Sequence, residues 1–329
     1  ASAFDIFGFS LQYELNYTTV LNMLDLAGVP QFSKDRHSLS PLVIAGGPCV
    51  YNVEPVVDFF DIILVGEGEE NLPALVELYM EAKRQNMDKQ SFLEKALEIE
   101  GVYVPSFYQV DYKEDGIIAA ITPTHGAPAQ VKKAIVRDLD KAYYPESFIV
   151  PSTDVVFDRA MVELFRGCRR GCRFCQAGYT YRPIRAKSAE TLASQAKRLI
   201  ETTGYEEVSL TSLSSSDYPQ LESLCDALVD YCEPRHVNLA LPSLRADNFN
   251  LDLMENIVRH GIQTFRQTAK NKARGIKINV GVSTFVPKAQ TPFQWVGQAT
   301  QQQVKERQEF LREQLKIKNV SFSLHKRES

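Results

Sequence analysis

Three of the chain's six cysteines fall within eight residues, in Arg166-Gly167-Cys168-Arg169-Arg170-Gly171-Cys172-Arg173-Phe174-Cys175. That clustering demands a chemical reason, and it limits the chain more than any other feature. The segment Met161 to Phe165, apolar but for Glu163, reads as a β-strand leading straight into it. The cysteines therefore sit on a loop that follows a strand, where α/β barrels place their chemistry. Thiolates spaced C-x3-C-x2-C can ligate three irons of a cubane and leave the fourth iron without a protein ligand.

Six cysteines in 329 residues are too few for a disulfide scaffold. The competing use of clustered thiols is a structural zinc site, which needs four closed ligands. The other thiols look occupied elsewhere. Cys225 and Cys232 fall on the apolar face of an expected helix, and Cys49 follows Gly46-Gly47-Pro48 in a different part of the chain. The open cluster uses the three cysteines best; zinc, or thiols that ligate nothing, are the alternatives.

Bulk composition excludes more than it assigns. A content of 44% hydrophobic and 24% charged residues is ordinary for a globular protein, and 329 residues suffice for two domains. The net charge of −4 gives no overall pull toward nucleic acid or anionic membrane. Locally, seven Arg or Lys residues lie from Arg166 to Lys187 with no acid among them. Such a loop could balance an anionic cluster, attract an anionic substrate, or simply be solvated. The opening ASAFDIFGFS has no basic leader with an apolar core, and the best apolar stretch, PLVIAGGPCV, is short and broken by Gly-Gly-Pro. These features lead us to expect a cytoplasmic protein with no membrane partner.

Along the chain, strand-like and helix-like segments alternate. Phe4 to Phe9, Pro41 to Ala45 and Ile62 to Val65 read as strands, with helices at 17–27, about 71–84 and about 91–98. Strands separated by helices imply a parallel sheet. Residues 101–123 carry a β-hairpin signal around Lys113-Glu114-Asp115-Gly116. The Pro-rich stretch that follows reads as a linker. The alternation then restarts. Ser188 caps a helix to about 203 that Gly204 ends, and Val208 to Leu213 is the next strand. A helix at 220–232 turns Leu221, Leu224, Leu228 and Val229 inward. Val237 to Leu244 and Ile276 to Val286 are strands, with helices at 251–260 and about 300–316.

C-x3-C-x2-C with an aromatic before its last cysteine resembles the radical SAM signature. The longer stretch ELFRGCRRGCRFCQAGYTYRPIR is similar to radical SAM proteins of unassigned substrate that carry a cobalamin-binding domain. The segments FGFSLQYELNYTTVLNMLDLAG, PLVIAGGPCVYNVEP, SLTSLSSSDY, LPSLRADNF and STFVPKAQTPFQW extend the likeness over most of the chain. The resemblance implies a partial cobalamin-binding-like, doubly wound α/β domain at 1–124 with its hairpin, a linker at 125–157, and a radical SAM (β/α) partial barrel at 158–329. It implies a 4Fe–4S cluster on Cys168, Cys172 and Cys175. S-adenosylmethionine (SAM) would chelate the open iron and be cleaved reductively to a 5′-deoxyadenosyl radical.

On the same resemblance, Phe174 belongs to the SAM side of the loop. Ser214, Ser215 and Asp217 end the second barrel strand, where the family holds the SAM amino group; a plain loop with Asp217 as helix N-cap is the other reading. Arg245, ending the third strand, could pair with the SAM carboxylate, or form a surface salt bridge. Gly66-Glu67-Gly68-Glu69 resembles turns of cobalamin-linked relatives. Asp35-Arg36-His37 looks like the motif supplying a lower cobalt ligand, but it lacks the terminal Gly and precedes the wrong strand. Cobalamin is therefore a possible cofactor without a ligand motif.

Against the resembled family, the first domain opens at what corresponds to its third strand, and two βα units are missing between LPSLRADNF and KINVGVS. The barrel is expected to be incomplete. The functional expectation is a radical SAM enzyme, supplied by an electron donor such as flavodoxin or ferredoxin, on an unknown substrate, for which RNA is compatible. The alternative is an inactive cluster-binding remnant.

Overall fold

A computed structural model of the chain describes residues 3–153, 155–243, 278–282, 285–314 and 320–324. The chain divides into two units, Ala1–Tyr144 and Pro145–Ser329.

In the first unit, β1 (Ile6–Ser10), β2 (Leu42–Gly46) and β3 (Ile62–Leu64) pair in parallel, and β4 (Val102–Tyr103) closes the sheet antiparallel to β3. The helices are α1 (Asn16–Leu26), α2 (Gly68–Arg84) and α3 (Lys89–Ala96). Strand periodicity explains why β2 is apolar throughout. Its alternate residues Leu42 and Ile44 pack with Leu75 and Tyr79 of α2 and Phe92 of α3, while Val43 and Ala45 pack with Val20 and Leu24 of α1. A sheet covered on both faces is the doubly wound arrangement expected from the sequence. The expected hairpin forms from β5 (Tyr108–Tyr112) and β6 (Ile118–Pro123).

A buried charge network ties this unit together. The fully buried Asp61 carboxylate accepts from Arg36 Nε at 3.1 Å, Lys89 Nζ at 2.7 Å, Ser33 Oγ at 2.5 Å and the Val43 amide at 2.7 Å. Such a charge is tolerated inside only because every lone pair has a donor. Beyond the hairpin, residues 134–136 return to the sheet. Glu67 donates its amide to the Ala134 carbonyl at 3.0 Å, and its carboxylate accepts the Val136 amide at 2.6 Å.

In the second unit, β7 (Ala160–Glu163) leads through β8 (Phe165–Arg166) into the cysteine loop, which ends in α4 (Ala177–Thr180) and β9 (Arg185–Ala186), antiparallel to β8. Then come α5 (Ala189–Thr203), β10 (Glu207–Thr211), α6 (Leu221–Cys232) and β11 (Asn238–Ala240). The parallel sheet runs β11-β10-β7. Ser188 Oγ caps α5 by accepting the Thr191 amide at 3.2 Å, and Gly204, left-handed at φ 72°, ends it. Further on, β12 (Ile278–Val282) pairs in parallel with β13 (Val320–Leu324), with α7 (Gln301–Gln314) between them in sequence.

Among the described residues no sheet closes into a barrel. The strand expected to reach Leu244 stops at Ala240, just before a Leu-Pro that cannot donate to a ladder. Val229, expected inward on α6, is 38% exposed, because it lies about 100° round the helix from the buried Leu228. The expected helix at 251–260 lies outside the described residues.

Candidate functional site

The cysteine loop begins with a backbone turn that only glycine suits. Gly167 sits at φ 97°, and a Cβ there would stand 2.6 Å from the Tyr181 carbonyl oxygen. The chain leaves β8 tightly against the segment that returns toward β9. On the far side, a Cβ on Gly178 of α4 would stand 2.7 Å from the Arg170 carbonyl oxygen. Both glycines thus let backbone approach backbone, holding the loop between strand and helix.

None of the six cysteines is in a disulfide. Cys168 is buried at the root of the loop, while Cys172 and Cys175 are partly accessible and bracket a turn in which the Cys175 amide donates to the Cys172 carbonyl at 3.0 Å. Phe174, on that turn, is 55% exposed. The Arg173 carbonyl accepts the amide of Phe293, which brings the Thr291-Pro292-Phe293 segment against the loop. Cys225 and Cys232 lie on the buried side of α6, where burial pushes the Cys225 thiol up to about 11 and raises that of Cys232. They are core residues. Among the described residues, no three thiol, imidazole or carboxylate groups form a ready-made metal cage. The donor chemistry nevertheless fits a cluster with an open iron: three thiols on one loop, with neither imidazole nor carboxylate between them.

Facing the loop is the turn after β10. Arg170, in the middle of the spacer between Cys168 and Cys172, grips Asp217 with both ends of its guanidinium. Nε donates to Oδ2 at 2.8 Å and Nη2 donates to Oδ1. Arg169 Nη2 adds a bond to the Asp217 carbonyl at 2.9 Å. The Arg170 guanidinium holds the Asp217 carboxyl well below the usual carboxylate range, at about 2. Asp217 is therefore not the helix cap; Gln220 occupies that position. The turn is itself pinned. Ser215 Oγ donates to the Leu210 carbonyl at 3.3 Å, its amide donates to the Ser243 carbonyl at 3.2 Å, and Tyr218 Oη donates to the Lys187 carbonyl at 2.9 Å. The Ser214 hydroxyl is turned to the Asp217 carboxylate, and the Ser216 hydroxyl is shut from solvent without a hydrogen-bond partner. Buried polar groups left in this way mark a place where a ligand's polar atoms could complete the bonding.

The structure thus puts Ser214, Ser215 and Asp217 on one turn and joins that turn to the cysteine loop. Arg245 lies outside the described residues. Of the seven basic residues, Arg166 and Arg170 are held by Glu163 and Asp217, Lys187 is buried and Arg185 half-buried, while Arg173, Arg182 and, beyond its bond to the Asp217 carbonyl, Arg169 are exposed. Arg170 itself was not legible as a site residue. Its partner lies 47 residues away, and the only signal was its place between two of the cysteines.

Radical SAM families match the chain in both of its units. A model described as radical SAM proteins, N-terminal, matches residues 1–105, and one described as the radical SAM superfamily matches residues 162–285. An uncharacterized protein of Methanocaldococcus jannaschii is 29% identical over 255 residues, covering 76% of this chain. The chain spans 47% of the length of that relative. The radical SAM methyltransferase TsrM from Kitasatospora setae, solved with cobalamin and a 4Fe–4S cluster bound, is 12% identical with a TM-score of 0.49, covering 97% of this chain and 61% of that one. A second structure of it, with tryptophan substrate and a SAM analog, is 12% identical with a TM-score of 0.47, over 97% of this chain and 62% of that one. Matched in both units and carrying the three-cysteine loop, the chain belongs to the radical SAM superfamily, whose cofactors are a 4Fe–4S cluster and SAM.

Proposed function

We propose that this chain is a radical SAM enzyme whose cluster is held by Cys168, Cys172 and Cys175. The observation that carries the proposal is the cysteine loop itself, braced between Gly167 and Gly178 and tied by Arg170 to the turn after β10. A bound and reduced cluster would supply the one electron for reductive cleavage of SAM to methionine and a 5′-deoxyadenosyl radical. The protein's share is to bind and orient. Phe174 would border SAM from the cysteine side and the Ser214–Asp217 turn from the other, with the buried Ser216 hydroxyl available to a polar group. Arg245 is proposed for the SAM carboxylate. The module boundary is proposed within 125–157. A one-electron donor of the flavodoxin or ferredoxin kind would reduce the cluster.

The substrate is open, and the exposed Arg169, Arg173 and Arg182 favour an anionic one, RNA included. Among the described residues no helix is long and apolar enough to cross a membrane. For the first unit, cobalamin is proposed only without a protein imidazole. His37 precedes β2, at the amino edge of the sheet, whereas doubly wound sheets bind ligands at the carboxyl edge.

Anaerobic reconstitution tests the cluster: about four irons and four sulfides per chain are expected. Replacing all three loop cysteines by Ala should abolish the brown chromophore, and Cys225→Ala with Cys232→Ala should not. Equal loss in the second case overturns the ligand assignment. Dithionite-driven formation of 5′-deoxyadenosine, followed by chromatography, then separates the enzyme from the alternative of an inactive remnant. That alternative is favoured by β12 and β13 pairing apart from the β11-β10-β7 sheet.

A further inference from the structure

The Arg170–Asp217 pair differs from an ordinary surface salt bridge in two ways. The Asp217 side chain is only 6% exposed and that of Arg170 26%, so solvent screens the pair weakly. Its contact is also two-pronged, and a planar fork on a carboxylate fixes direction as well as distance. Arg170 stands two residues after Cys168 and two before Cys172, at the centre of the spacer. Gly178 meets the carbonyl of this same residue from the other side. One residue of the loop is thus gripped by side chain and by backbone. The anchor is firm too, because the turn bearing Asp217 is bonded to Leu210, Ser243 and Lys187.

We propose that Asp217 is a positioning residue for the cluster loop: acting through Arg170, it holds the spacer between Cys168 and Cys172 so that the thiols are presented together to iron. The inference rests on the proposed function for its purpose, though the clamp itself concerns only this chain's own residues. It assigns Asp217 the task of orienting the loop, whereas the Ser216 hydroxyl remains available to a ligand. The fork requirement makes it specific, since a lysine at 170 would keep the charge but act as a point charge without direction.

The test uses the whole metal-free chain and N-ethylmaleimide, with each cysteine followed by mass spectrometry. In Asp217→Asn, Cys172 should be alkylated about fivefold faster, the factor that corresponds to roughly 1 kcal/mol of lost restraint. Cys225 should react at its unchanged slow rate. Arg170→Lys should behave like Asp217→Asn, and Asp217→Glu should recover part of the protection. In reconstituted protein the first two variants should retain less iron and broaden the paramagnetic resonance spectrum of the reduced cluster. Wild-type alkylation of Cys172 in both Asp217→Asn and Arg170→Lys overturns the proposal. So does a parallel rise at Cys225, which would mean general loosening. If the wild-type chain takes up no iron at all, the proposed function fails, while the alkylation rates still decide the clamp.

Discussion

Gly178 and the carbonyl of Arg170 are close enough that a single added methyl group would stand 2.7 Å from the oxygen. The absence of a side chain lets α4 seat against the cysteine loop. Backbone on both sides leaves nothing flexible to give way. Gly178→Ala should therefore cost about 1–3 kcal/mol, as overpacking does. Gly171→Ala, in the same loop but with nothing within 4 Å of its Cβ position, should stay within about 0.5 kcal/mol of wild type. Urea unfolding of the two variants side by side measures the difference; equal costs would mean that the loop is not seated against α4.

The first unit stands on Asp61. Its carboxylate is fully buried and pairs with both Arg36, whose side chain is 1% exposed, and Lys89, at 12%. Asp61→Ala leaves two cations without their counter-charge and should destabilise by about 3–5 kcal/mol, the usual result of breaking a buried pair from one side. Lys89→Ala should cost less, because Arg36 keeps its partner and the lysine is nearer to water. Scanning calorimetry on both variants checks the order, and a reversed order would place the main burden on the lysine.

The sequence made some of this legible and not the rest, for physical reasons. The continuous apolar run of β2 announced a strand covered on both faces, and the cysteine spacing announced the loop, because both signals are local. Arg36 shows the opposite case. Its neighbour His37 draws the eye as part of a cobalt-ligand-like motif, yet the residue that matters to the fold is the arginine, through an aspartate 25 positions later. Arg170 was invisible for the same reason. Local patterns report periodicity and spacing, whereas a clamp is made by two distant segments brought together by the sheet. The orphaned Ser216 hydroxyl likewise becomes meaningful only once its burial is known.

Cysteine reactivity should divide along the line between loop and core. Cys225 sits on the packed face of α6, and burial pushes its thiol up to about 11. The thiolate is the nucleophile, so at pH 8 a group titrating near 11 is charged about a thousandth of the time, before any steric barrier is counted. Cys172 and Cys175 are partly accessible. Iodoacetamide at pH 8 should modify those two in the native metal-free chain and reach Cys225 and Cys232 only after denaturation. Native modification of Cys225 at a comparable rate would remove the argument that α6 cysteines are inert core residues.

The last prediction concerns acid. Arg170 favours the charged form of Asp217, whose folded-state value of about 2 lies below that of an ordinary carboxylate near 3.9. A depressed value means that the folded state holds its proton less tightly than the unfolded chain does. The stabilisation from this charge pair is then fully present above the ordinary carboxylate value, shrinks as pH falls through the interval, and vanishes below about 2. Asp217→Asn has no charge to lose, so its stability lacks this component at every pH. The gap between wild type and Asp217→Asn should therefore open between about pH 2 and pH 5 and stay constant from there to pH 7. Thermal melts of both proteins across that range, at fixed ionic strength, trace the gap directly. A gap that opened only near neutrality would assign the effect to another group, and one already complete at pH 2 would show that shape rather than charge joins Asp217 to the cysteine loop.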